Sequence, residues 1–215
     1  MRASLHSLGS LALLAGLAVA AAPASAAPSL IVNGSFEADA LLPLGTWGVF
    51  GTLTGWVGDP GASGGIELRR QNAGTAQDGQ HFVELDTWRN SWMTQQVATD
   101  AGQHYTLSYY YSPRAGVAAA SNAIEVYWNG VQLALNGGSG IGENNHQWQQ
   151  FSFDVVGTGG LDMLRFAAAG TSDAIGGSLD NIALVAATVP EPGMLALSLA
   201  ALAALGAAGL RRKPR

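Results

Sequence analysis

Over residues 104–111 the chain alternates strictly, with Tyr105, Leu107, Tyr109 and Tyr111 on one side and His104, Thr106, Ser108 and Tyr110 on the other. A period of two sends successive side chains to opposite faces of an extended strand, and a helix cannot satisfy it. The pattern recurs, with Ile124, Val126 and Trp128 opposing Glu125 and Tyr127, and Phe151, Phe153 and Val155 opposing Gln150, Ser152 and Asp154. Helical periodicity is absent from the middle of the chain, and Gly/Asn/Ser clusters separate the runs. The spacing predicts strands over 29–32, 65–70, 81–86, 92–97, 104–111, 123–128, 131–135, 148–156, 161–168 and 178–185. Burial on one side of many short antiparallel strands predicts an all-β, two-sheet sandwich. Asn129-Gly130, between Trp128 and Val131, predicts a two-residue type I′ hairpin. The loops over 58–65, 136–145 and 157–160 are too short to divide the chain. With no cysteine, neither disulfides nor thiol chemistry are available.

The two ends are of another kind. Arg2, an apolar stretch over 8–22 and Ala24-Ser25-Ala26 follow the plan of a secretory signal peptide, which predicts removal of 1–26 by signal peptidase. At the other end Val189-Pro190-Glu191-Pro192 precedes an uncharged run over 193–210 and then Arg211-Arg212-Lys213-Pro214-Arg215. As a helix that run spans ~27 Å, enough for one transmembrane crossing with its basic flank in the cytoplasm. The domain plan is therefore a signal peptide (1–26), a β-sandwich ectodomain (27–188) and a tail (189–215). The tail resembles the PEP-CTERM sorting signal, with its motif at Val189, Pro190, Glu191 and Pro192, transmembrane helix 193–210 and basic end 211–215. The resemblance implies processing by exosortase, a membrane protease or transpeptidase of Gram-negative bacteria that usually accompanies exopolysaccharide production. It also implies an inner-membrane-anchored precursor that passes to the cell surface or the biofilm matrix. A plain tail anchor is the alternative.

Five of the ten basic residues lie in these ends, which leaves Arg69, Arg70, Arg89, Arg114 and Arg165 against fifteen acids, a net charge of −10 for the exported part. Such a surface repels phosphate backbones and excludes nucleic acid as a partner. It also favours a neutral polysaccharide over an anionic one.

Asn33-Gly34-Ser35-Phe36-Glu37 opens the domain and Leu179-Asp180-Asn181-Ile182-Ala183-Leu184 closes it. Together with Gln95-Gln96-Val97 and the Gly102-to-Leu107 stretch, these resemble the galactose-binding-like jelly rolls, which include many carbohydrate-binding modules. The resemblance implies adjacent first and last strands and a structural calcium ion near them, with Glu37 and Asp180 as candidate ligands. Hard carboxylate oxygens suit calcium. The alternative is that both carboxylates accept backbone hydrogen bonds.

Catalytic candidates each fail. Gly61-Ala62-Ser63-Gly64-Gly65 fits G-x-S-x-G, but Pro60 precedes it and a strand follows, where a nucleophile elbow needs a strand and then a helix. Glu84 and Asp86 share a strand face at ~6.6 Å along it and resemble the E-[IL]-D-x-x-E stretch of laminarinase-type glycosidases. Thr87-Trp88-Arg89 lacks the third acid, so a solvated face is expected. His81, His104 and His146 have no zinc spacing and are expected at the surface or in turns. The protein is therefore read as non-enzymatic.

The best ligand candidate is Trp88-Arg89-Asn90-Ser91-Trp92, in a turn between two strands, where indoles can stack on the C–H faces of sugars and Arg89 and Asn90 can bind hydroxyls. Tyr110 and Tyr127, with Glu125, would extend a groove. Trp56, Trp128 and Trp148 are expected to be structural. The first reading is an exported matrix protein that binds exopolysaccharide. The alternatives are a passive surface protein without a ligand and a glycan-acting enzyme.

Overall fold

A computed structural model describes residues 27–39, 42–61 and 64–187, together with Leu202. The expected signal peptide and, Leu202 apart, the expected sorting tail lie outside the described residues, as does Ser63 of the G-x-S-x-G stretch. Among the described residues no helix is long and apolar enough to cross a membrane.

The described residues form an all-β antiparallel sandwich of two six-stranded sheets. Its strands are β1 (Thr46–Phe50), β2 (Thr52–Leu53), β3 (Trp56–Gly58), β4 (Ile66–Arg70), β5 (His81–Glu84), β6 (Trp92–Ala98), β7 (His104–Ser112), β8 (Ala123–Trp128), β9 (Val131–Asn136), β10 (Gln149–Val156), β11 (Leu161–Ala169) and β12 (Ser178–Ala186). The first sheet runs β1-β4-β5-β12-β7-β10 and the second β2-β3-β6-β11-β8-β9. One turn of 3₁₀ helix, Ala119–Ser121, precedes β8.

Alternation sorts the side chains as the sequence predicts. Tyr105, Leu107, Tyr109 and Tyr111 enter the core with Ile124, Val126 and Trp128. Trp56 is fully buried between Phe36 and Phe166, at centroid distances of 5.9 and 6.3 Å. The buried Tyr109 hydroxyl donates to Asn136 Oδ1 at 2.5 Å, which satisfies a polar group deep in the sandwich. The β8–β9 hairpin turns on Asn129 (φ 49°) and Gly130 (φ 79°), the two left-handed positions a type I′ turn needs.

Two expectations change. Residues 29–32 form no strand. β12 is flanked by β5 and β7, so the N-terminal segment adds single contacts where the β12–β7 register shifts between Asp180 and Ala183. Leu30 N–H donates to Leu184 O (2.8 Å) and Ile182 N–H donates to Gly34 O (3.0 Å). The first segment thus does lie beside the last strand. The second change is an addition, since β1, β2 and β3 were not anticipated. Gly48 interrupts the apolar alternation of β1, and β2 is only two residues long.

Candidate functional site

On the outer face of the first sheet, the side chains that alternate with the core are charged. Glu67 and Arg69 of β4 point away from Ile66 and Leu68, and Glu84 of β5 points away from Val83. Strand register sets Glu67 directly opposite Glu84 and Trp47 opposite Arg69. Two like charges across a ladder repel, so the pairing needs cations. Arg69 supplies one, bonded to Glu67 and to Glu84 Oε2 (3.1 Å). Arg114 supplies the other, reaching Glu84 at 3.2–3.3 Å. Gly176 N–H also donates to Glu84 Oε1 (2.5 Å).

Glu84 is 0% exposed, and burial pushes its carboxyl up to about 7 against the pull of Arg69 and Arg114. Burial likewise raises Glu67. The expectation of a solvated Glu84/Asp86 face is therefore overturned, because both side chains are fully buried. Asp86 points to another loop, accepting from Asp173 N–H (2.9 Å) and Ser172 Oγ (3.2 Å).

Above this floor stand two exposed indoles. Trp47, on edge strand β1, is 44% exposed and Trp88 is 64% exposed. Their rings meet edge to face at 6.2 Å and 61°. The Arg69 guanidinium lies 5.9 Å from the Trp47 ring centre, a cation–π contact. Beside them is a cleft of about 230 Å³ lined by Trp47, Trp88, Glu67, Arg69, Asn72, Thr87, Arg114 and Ala174.

Local structure aims Trp88 outward. Ser91 N–H donates to Leu85 O (2.8 Å) and closes a tight turn over 86–90. Ser91 Oγ accepts from Gly65 N–H (2.8 Å) and donates to Gly65 O (2.7 Å), which pins that turn to the start of β4. The Asp86 bonds to 172–173 hold the loop that carries Ala174.

The predicted ligand residues separate. Trp88 alone lines the cleft. Arg89 pairs with Asp59 (2.7 Å). Asn90 Nδ2 donates to Gly170 O (3.0 Å), and Asn90 N–H donates to Ser172 Oγ (2.9 Å). Both side chains thus tie loops together. Tyr110 lies on the outer face of the first sheet, paired with Gln150 and Asp180. Trp92 and Tyr127 lie on the outer face of the second, so the six residues form no single groove. The sequence reading missed Trp47, Glu67, Arg69, Asn72 and Arg114. The available signal was Glu-Leu-Arg-Arg, charges alternating within an apolar strand.

Glu37 and Asp180 hold backbone. Glu37 Oε1 accepts from Gln80 and His81 N–H (2.6 and 2.7 Å), and Oε2 meets His81 Nδ1 (2.9 Å). Asp180 Oδ2 accepts from Gln77 and Asp78 N–H (2.7 and 3.0 Å), and Oδ1 from Asn181 N–H (2.7 Å). Both carboxylates thus make the backbone hydrogen bonds of the alternative reading. No group of three or more His, Cys, Asp or Glu able to hold a metal occurs among the described residues. Burial raises Asp180 to about 7 despite these bonds. His81 and His146, expected at the surface, are buried. His146 packs on Phe82 at 4.6 Å and bonds Ser178 and Thr75 O.

No family model matches the chain. Over 157 residues (73% of the chain) it is 31% identical to a multifunctional-autoprocessing repeats-in-toxin protein of Vibrio cholerae. Over 158 residues it is 30% identical to the Vibrio vulnificus protein of the same name. The match spans 3% of the length of each. Similar solved structures include the carbohydrate-binding module TmCBM61 in complex with β-1,4-galactotriose, with a TM-score of 0.47, 17% identity, and coverage of 74% of this chain and 99% of that one. A family 16 carbohydrate-binding module gives a TM-score of 0.48 at 16% identity, covering 73% and 99%. The K1 cleaved adhesin domain of Lys-gingipain from Porphyromonas gingivalis W83 gives 0.49 at 14%, covering 66% and 98%.

Proposed function

We propose that the protein is an exported, non-enzymatic surface or matrix component that binds a neutral polysaccharide in the Trp47–Trp88 cleft. The observation that carries this reading is the pair of exposed indoles standing over a buried, charge-balanced floor. Indole faces take up the apolar C–H face of a sugar ring, while Asn72 and the outer edge of Arg114 offer donors to hydroxyls. Two carboxyl groups face two guanidiniums in the floor and offset them once ionised, so the cleft does not demand a charged ligand. Glu84 is too deeply buried to reach a glycosidic oxygen, which argues against acid catalysis there. The terminal segments support export, exosortase processing and delivery to exopolysaccharide at the cell surface.

The test is affinity electrophoresis of the exported protein through gels of neutral galactan or glucan. Wild type should be retarded, and Trp47→Ala and Trp88→Ala should each run as in a blank gel with an unchanged circular dichroism spectrum. Retardation that survives both substitutions would overturn the cleft as the site.

A further inference from the structure

The outer face of the second sheet carries a separate constellation. Arg165 of β11 lies between Trp92 of β6 and Tyr127 of β8, its guanidinium 5.3 Å and 5.8 Å from their ring centres. Strand register builds the arrangement, placing Arg165 opposite Thr94 on one side and Tyr127 on the other. Arg69, Arg89 and Arg114 each pair with a carboxylate, and Arg70 bonds Gln80 and Leu42 O. Among the described residues Arg165 is the arginine with neither a hydrogen bond nor an ion pair, and it is exposed. Glu125, the nearby acid on β8, accepts from the Tyr127 hydroxyl (2.8 Å). Beside the guanidinium is a shallow hollow of about 160 Å³ lined by Trp92, Thr94, Met163 and Arg165.

From this we infer that the hollow is a second site, for a carboxylate-bearing sugar such as a uronic acid residue of a polysaccharide. Contact with two aromatic rings restricts the guanidinium and limits the entropy lost on binding, while its donors stay available to an incoming carboxylate as a bidentate pair. Met163 and Trp92 offer apolar surface to the sugar ring, and Thr94 a hydroxyl for hydrogen bonding. An acidic protein with net charge −10 resists polyanions at long range. Salt screens that field beyond about 8 Å, whereas the direct contact at Arg165 is shorter than this. The site does not depend on the Trp47–Trp88 cleft, which lies on the other sheet.

The experiment uses the exported protein and polygalacturonate as probe, in affinity electrophoresis and calorimetry. Binding should fall about tenfold or more in Arg165→Gln, as expected for loss of a charge-assisted pair. It should fall similarly in Met163→Glu, which sets a competing carboxylate in the hollow at an exposed position. It should fail with fully methyl-esterified polymer and persist in Trp88→Ala. If Arg165→Gln does not fold, Met163→Glu decides. Equal binding by Met163→Glu, equal binding of the esterified polymer, or equally strong competition by polyglutamate would each overturn the proposal; the last would mark a general anion contact.

Discussion

Glu84 has no exposed surface, yet it joins two arginines beneath the cleft. Removing a partner from a buried ion network leaves uncompensated charge, at a cost of about 3–5 kcal/mol. Glu84→Gln should lower stability on that scale, measured by urea denaturation, and loosen Arg69 beneath Trp47. Asp180 makes a different prediction. Its folded carboxyl is held near 7, above its ordinary 3.8, mainly by burial. The folded state therefore keeps a proton that the unfolded chain releases, and the contribution of Asp180 to stability falls as pH rises from about 4 to 7. His146, lowered by burial, acts in the opposite direction below 6.5. Asp180→Asn should make the wild-type minus variant stability difference shrink across that window, as read from melting temperatures at pH 5 and 7.5. The same substitution sets an amide N–H against backbone N–H donors, which should cost about 1–3 kcal/mol. With donors on all oxygens of Glu37 and Asp180, melting should be the same in calcium and in chelator. A calcium-dependent rise that Asp180→Asn abolishes would instead show a bound ion.

Among the elements, the opening segment is the one held by geometry rather than by a ladder. A Cβ added at Gly34 would lie 1.9 Å from Ile182 O, far inside contact distance. Gly34→Ala must push the segment off β12, taking with it Phe36 from the core and Glu37 from the N–H groups of Gln80 and His81. We expect a loss of at least about 2 kcal/mol and faster amide exchange over 29–37 and 77–82. Unchanged exchange there would show that the backbone accommodates the methyl. The β5–β6 turn is the second such element, because Ser91 satisfies both polar groups of buried Gly65. Ser91→Ala should strand them and swing Trp88 from the cleft. Weakened galactan retention with both indoles intact would reveal that.

At the scale of the molecule, two outer sheet faces carry two kinds of chemistry. One has a floor of paired carboxyl groups and guanidiniums beside two indoles; the other has Arg165, the described arginine whose side chain has neither a hydrogen bond nor an ion pair, between aromatic rings. If both proposed sites bind, the protein would bridge neutral and acidic polymers, and many copies on a surface would raise weak binding through avidity. On the proposed reading, the terminal segments would set where that happens. The exported form should begin at Ala27 and end near 189–192, as checked by intact mass. Retention of Arg215 in most released molecules would favour a simple anchor.

Alternation alone determined the two-sheet sandwich, since a period of two with one apolar face has few other ways to bury itself. Asn129-Gly130 determined its hairpin, because its backbone angles are local. The resemblance carried by the opening and closing motifs implied that the first and last strands of the domain would be adjacent; the opening segment does lie beside β12, without forming a strand. Only the tertiary structure decided the sites. Trp47 and Trp88 are far apart in sequence, and nothing local brings edge strand β1 beside the β5–β6 turn. Trp88 and Trp92, four residues apart, separate because the turn at 86–90, which carries Trp88, passes the chain from β5 of the first sheet to β6 of the second, where Trp92 begins the strand. Glu84 and Asp86 read as solvated because their partners, Arg69, Arg114 and the 172–173 loop, arrive through non-local pairing. Burial of a charge is settled by what packs over it, which a strand's own sequence does not contain.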